Sequence, residues 1–273
     1  MAVVVKVIDL NLPSAWPGDV LDYLGWHHAL FLDWETRKPG ISSSYERASE
    51  RAKAYDRAIY GLRDVLQPYA ITGWHCTRLT QTEVATIIST GMRLPDAKLL
   101  TRRIDALLND GLLTGTIATR LKNENQAHDD NRAGMVWFCF FPPGLAGESG
   151  IERLFRHWGG EALYNSHEDD PETGIAIASI GVPSVVEADV PIANLEPAGG
   201  LDFKVVRRFL IHRGYRTREP VDHEDHIIRP LPAQNIRRVI SFPDPEFIRL
   251  TGCDSWVNPI DWDQRSKAFN RKV

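Results

Sequence analysis

"ITGWHCTRLTQTEVATIISTGMRLP", residues Ile71 to Pro95, decides how this chain is read. Its first seven residues alternate and are rich in β-branched and aromatic types, which predicts a strand. His75 and Thr77, two apart, share one face of that strand, while Cys76 points to the other. Thr80 and Glu83 then stand at capping-box spacing, so a helix follows over 84–90 and ends at Gly91, a left-handed C-cap. A histidine beside a hydroxyl can donate to and accept from a sugar hydroxyl or an amide. The free N–H groups where the helix begins favour an anion nearby. The combination suits a nucleotide; it also suits a hydrogen-bonded core histidine in an ordinary strand.

Upstream, Leu21, Leu24, His28, Leu30, Phe31 and Trp34 predict a short helix. Tyr45, Ala48, Ala52, Tyr55, Ile59, Leu62 and Leu66 then recur at steps of three and four, an amphipathic helix that Pro68 ends. "MAVVVKVIDLNLP" reads as a strand rather than a signal peptide, because Lys6, Asp9 and Pro13 interrupt its apolar run. Downstream, helices are expected at 96–111 and 114–126, and a polar loop at 128–134. "MVWFCFFPPG" has the composition of a buried strand stopped by its prolines. Residues 149–168 read as helical on either side of Gly159-Gly160. A strand at 183–192, a helix at 201–213, and a strand, proline turn, short helical step and final strand over 223–242 complete the reading. The fold class is therefore α+β, with residues 1–70 a mainly helical N-terminal segment and 71–273 interleaving strands and helices.

Composition sets the bounds. The 273 residues are 43% hydrophobic and 25% charged, and 32 basic against 36 acidic residues leave a net charge of −4, which is no global attractor for nucleic acid. Cys76, Cys139 and Cys253 form no C-x-x-C pair, so neither a disulfide framework nor a metal site is indicated. His27-His28 and His223 with His226 lack a second ligand pair at supporting spacing. No membrane-length apolar run occurs, and a cytoplasmic location is expected.

The stretch from Trp74 to Pro95 resembles the opening motif of the ADP-ribosyltransferase superfamily, in which a His-x-Thr strand leads to a helix ending at Gly. "GMVWFCFFPPG" is similar to the aromatic, proline-terminated strand of the branch that includes nucleic-acid-targeting toxins, although it has no Tyr. "HEDHIIRPLPAQNIRRVISF" looks like that branch's late glutamate strand, although "DHED" stands where an apolar residue normally follows the glutamate. The resemblance implies an ADP-ribosyltransferase-like split β-sheet over 71–273. It also implies that NAD is consumed as a substrate, cut at the nicotinamide–ribose bond, with ADP-ribose passed to a macromolecular acceptor, protein or nucleic acid. Such enzymes serve as toxins or defence effectors, which makes an antitoxin or inhibitor protein a partner class.

On that comparison His75 holds the adenosine-side ribose, Thr77 helps to orient the dinucleotide, and Trp137 or Phe138 walls the nicotinamide. Glu224 stabilises the positive charge developing on the ribose. Glu161 is the rival carboxylate: His157, Glu161 and Tyr164 share a face at helical spacing, in a buried Gly-Gly-Glu, with Arg153 or Arg156 turned to the pyrophosphate. Two other readings stand beside this one. An NAD-dependent RNA 2′-phosphotransferase would draw on Arg78 and Arg153, and a non-catalytic nucleotide- or partner-binding module would bury His75 and expose Glu224.

Overall fold

The computed structural model describes residues 6–36, 50–197 and 199–260. In chain order the elements are β1 (Val7–Ile8), α1 (Gly18–Trp26), α2 (His28–Thr36), α3 (Glu50–Leu66) and β2 (Ala70–Leu79). Then come α4 (Gln81–Thr90), α5 (Ala97–Asn109), α6 (Gly115–Asn123), β3 (Val136–Cys139), α7 (Glu148–Arg156), α8 (Glu161–His167) and α9 (Thr173–Ser179). β4 (Val182–Pro191), α10 (Leu201–His212), β5 (Glu224–Ile227), β6 (Ile236–Ser241) and α11 (Pro245–Thr251) are the remaining strands and α-helices of the described residues. This is a mixed α/β fold with a six-stranded sheet, in the order β5–β3–β2–β4–β6, and β1 joins β2. β1 runs parallel to β2, while β2/β3 and β4/β6 are antiparallel. The expected start of α3 near Tyr45 and Ala48 lies outside the described residues.

Contacts divide the chain into two compact units, one of residues 1–72 with 189–225, the other of 73–188 with 226–273. The division expected at residue 70 falls at the first residue of β2, and 189–225 groups with the N-terminal stretch.

The first unit packs α1, α2 and α10 around α3. Leu24, Phe31, Ile59, Leu62, Val206 and Phe209 are essentially shielded from solvent, as the three-and-four spacing requires. Two carboxylates are buried among them. Asp202 is 2% exposed and accepts from Arg63 Nε at 3.0 Å and Nη2 at 2.8 Å. Glu35, also 2% exposed, accepts from Arg207 Nε at 2.8 Å and from the Tyr55 hydroxyl. Burying a carboxylate is tolerable only with such charged and hydrogen-bonded partners.

In the second unit β2 carries the predicted alternation: Trp74, Cys76 and Arg78 are buried, His75 and Thr77 are not fully so. The capping box of α4 is complete, Thr80 Oγ1 accepting from Glu83 N at 3.2 Å and Glu83 Oε2 accepting from Thr80 N at 2.9 Å. Gly91 ends the helix at φ +83° but ψ −166°, so it is an extended positive-φ glycine rather than the expected left-handed cap. A Cβ there would stand 2.0 Å from the Leu231 carbonyl oxygen, which explains the residue type.

Behind α5, α6, α8 and α9, Trp158 fills the centre of one apolar core, with Ile104, Leu121, Leu163 and Ile177 around it. Its indole N–H donates to Glu83 Oε2 at 3.0 Å, and the Arg103 guanidinium lies 4.5 Å over its ring. A second core joins Trp74 and Cys76 to Phe155, Val185, Ile240 and Phe247. Removing a side chain such as Trp158 from a packed core costs about 3–5 kcal/mol.

Candidate functional site

The site begins with the ring of His75. Its Nδ1 lies 2.8 Å from the carbonyl oxygen of Trp137 on the neighbouring strand. A carbonyl only accepts, so Nδ1 carries the proton, and in the neutral ring Nε2 is left as an acceptor. Part of the side chain keeps contact with solvent, but the protein around the ring lowers its pKa below the ordinary histidine value. Burial is the main cause; the Trp137 carbonyl opposes it and the charge of Arg103 adds to it. Thr77, two residues on, is half-buried on the same side of β2.

β3 settles which aromatic ring accompanies His75. The Phe138 ring centroid is 5.8 Å from that of His75, and Phe138 is 1% exposed. Trp137, its neighbour, points the other way and is 47% exposed. Phe138 is therefore a floor beneath His75 rather than the wall of an open pocket. The open ring is that of Trp137, packed at 4.7 Å against His226 of β5.

β5 itself carries Glu224 at its exposed first position, followed by buried Asp225, His226 and Ile227. Alternation puts Glu224 on the His226 side of that strand. His226 was set aside in the sequence as one half of an unsupported metal pair. The signal that brings it in is its spacing of two from Glu224 on one strand. Among the described residues, no group of three or more His, Cys, Asp or Glu is placed to hold a metal ion.

Three expectations need correction. The start of α4 is not an open anion site, because its capping box uses the Thr80 and Glu83 N–H groups and brings in a carboxylate. Burial pushes the Glu83 pKa up, but Arg103, the Thr80 N–H and the Trp158 N–H together hold it below the usual carboxylate value, so a negative charge already occupies that end. Nor is Glu161 in a buried Gly-Gly-Glu. Its side chain is 52% exposed, 3.4 Å from Arg132 Nε and 3.1 Å from the Tyr164 hydroxyl. His157 does not share a helix with it, since Gly159 and Gly160 break the chain at φ +89° and +61°.

The arginines are also engaged. Arg153 pairs with Glu168, its Nε 2.9 Å from Oε2, and lies 4.0 Å over the Tyr164 ring. Arg78 is 5% exposed and donates to the carbonyls of Ile180 at 2.6 Å and Phe155 at 3.0 Å. Its hydrogen bonds are those of a strand anchor, which removes the arginine that a 2′-phosphotransferase would need beside His75.

Compared with protein-family models, curated proteins and solved structures, the chain matches none. No helix among the described residues is long and apolar enough to cross a membrane.

Proposed function

We propose that the chain is an NAD-dependent ADP-ribosyltransferase with the ADP-ribosyltransferase-like split sheet. It would cut the nicotinamide–ribose bond of NAD⁺ and pass ADP-ribose to a macromolecular acceptor, nucleic acid or protein. The observation that carries this reading is the strand order. The strands bearing His75, the aromatic pair and Glu224 come from distant parts of the sequence, yet they are consecutive as β2, β3 and β5.

In this reading the neutral His75 ring accepts a ribose hydroxyl at Nε2, and the Thr77 hydroxyl supplies a second polar contact. Phe138, on the His75 side of the sheet, would lie beneath the nicotinamide, since Trp137 points to the other side. Nicotinamide departs with the electrons of the glycosidic bond and becomes neutral. Positive charge then develops on the ribose, where the Glu224 carboxylate stabilises it until the acceptor's nucleophile bonds to the same carbon. Glu224 is preferred to Glu161 because β5 is next to the aromatic strand in the sheet order, whereas Glu161 sits on α8. Fixed charge of this kind is worth a few kcal/mol, so Glu224→Gln should lower the rate about a hundredfold or more. An effector role as a toxin or in defence, with an inhibitor protein as partner, follows from the same reading.

The test is nicotinamide release from NAD⁺ by wild type, Glu224→Gln and Glu161→Gln, each checked for folding. Loss in Glu224→Gln alone is the expected result. Loss in Glu161→Gln alone would transfer the catalytic role to α8.

A further inference from the structure

A second feature of the unit of residues 73–188 and 226–273 lies away from His75. The chain leaving α4 at Met92 and the Pro230-Leu231-Pro232 turn after β5 are tied by two backbone hydrogen bonds. Met92 N donates to Leu231 O at 2.7 Å and Leu231 N to Met92 O at 2.9 Å. Gly91 permits this approach, since any Cβ would strike the turn. Over this bridge, and bounded by the start of α5, lies a groove of about 670 Å³. That falls within the usual size range of small-ligand sites. None of His75, Thr77, Trp137 or Phe138 lines it.

The groove is chemically two-sided. Leu99, Leu231 and Pro232 give it apolar walls, and Arg93 and Arg102 bring two guanidinium groups to it. Among the described residues neither guanidinium has a hydrogen bond or an ion pair. Asp96 is the opposing charge, but its Oδ1 is taken as the N-cap of α5, accepting from Leu99 N at 2.5 Å. Two cations therefore face one capped carboxylate. Guanidinium forks match the oxygens of a phosphate, and apolar walls suit the body of the molecule that carries it.

We propose that this groove binds a phosphate ester of about mononucleotide size, with Arg93 and Arg102 holding the phosphate and the Leu-Pro walls holding its base. This site does not rest on the transferase reading, because its residues and its ligand test are independent of NAD⁺ cleavage.

The experiment is calorimetric titration of the full chain with AMP, with adenosine, and with a short single-stranded oligodeoxynucleotide. Wild type should bind AMP saturably and adenosine about tenfold more weakly or worse. Arg93→Ala and Arg102→Ala should each weaken AMP by about tenfold, the size of a charge-assisted contact to one phosphate. Both side chains are exposed, so the variants should unfold at the wild-type temperature, and Arg93→Lys should restore part of the affinity. The oligonucleotide separates the sources of the phosphate. Arginine-dependent binding tighter than that of AMP identifies a strand, and weaker binding identifies a free nucleotide. Absence of saturable binding by both phosphate probes overturns the proposal. So does AMP binding that the arginine variants leave unchanged, or adenosine binding as tightly as AMP.

Discussion

The two units are stabilised by different means. The unit of residues 1–72 and 189–225 buries Glu35 and Asp202 and neutralises each with an arginine from a distant part of the chain. The unit of residues 73–188 and 226–273 closes two apolar cores around Trp158 and Phe155, and its carboxylate–arginine pairs, Glu83 with Arg103 and Glu187 with Arg238, are less fully buried than those of the first unit. The contrast separates cooperative from local risk. A buried ion pair is costly to break from one side, because the remaining charge stays out of water. A lost cap merely returns one N–H to solvent.

Breaking this contrast should begin with Arg207. Arg207→Met leaves Glu35 buried with only the Tyr55 hydroxyl, and should cost about 3–5 kcal/mol in denaturant unfolding. A loss under 1 kcal/mol would show that the pair is not what holds α10 to α2.

Acid should sharpen the contrast next. Burial, and then Lys204, lower the pKa of His223 to about 4, with Asp222 opposing. Below the ordinary value of about 6.5 the unfolded chain takes up a proton that the folded chain refuses, so stability falls with pH. The contribution is complete above about pH 6.5 and is lost progressively as pH drops toward 4. It amounts to roughly 3 kcal/mol at 1.36 kcal/mol per unit. His223→Gln should flatten the stability curve in that window; an unchanged slope would remove His223 from the explanation.

The smallest effect belongs to the local cap. Thr80→Ala should cost about 1 kcal/mol. Faster amide exchange should stay confined to the first turn of α4, and loss of protection reaching the α5–α9 core would contradict the local picture.

This division also explains what could be read from the sequence. Alternation made β2 legible, the Thr80–Glu83 spacing gave the start of α4, and Gly159-Gly160 gave the break between α7 and α8. Each is set by residues within a few positions. The partners of Glu35 and Asp202 lie 172 and 139 residues away, so no local pattern announces them. The choice between Trp137 and Phe138 depended in the same way on how β3 faces its neighbours. α11 is a different case: Asp244 caps it, Pro245 is its first residue and Gly252 follows at φ +64°, signals that were present but went unread. The short α9 has no cap at Glu172 itself; Asp170 Oδ1, just before it, accepts from Thr173 N at 2.8 Å, and the helix packs against α6 and α8.

The central claim is that the His75 strand and its neighbours form a nucleotide site. The most direct measurement is thermal unfolding with and without NAD⁺, on wild type and on His75→Ala. At a concentration a hundred times the dissociation constant, NAD⁺ should stabilise wild type by about 2.7 kcal/mol. Folded His75→Ala should lose most of that gain. No stabilisation of wild type at millimolar NAD⁺, or an equal gain in His75→Ala, would contradict the claim.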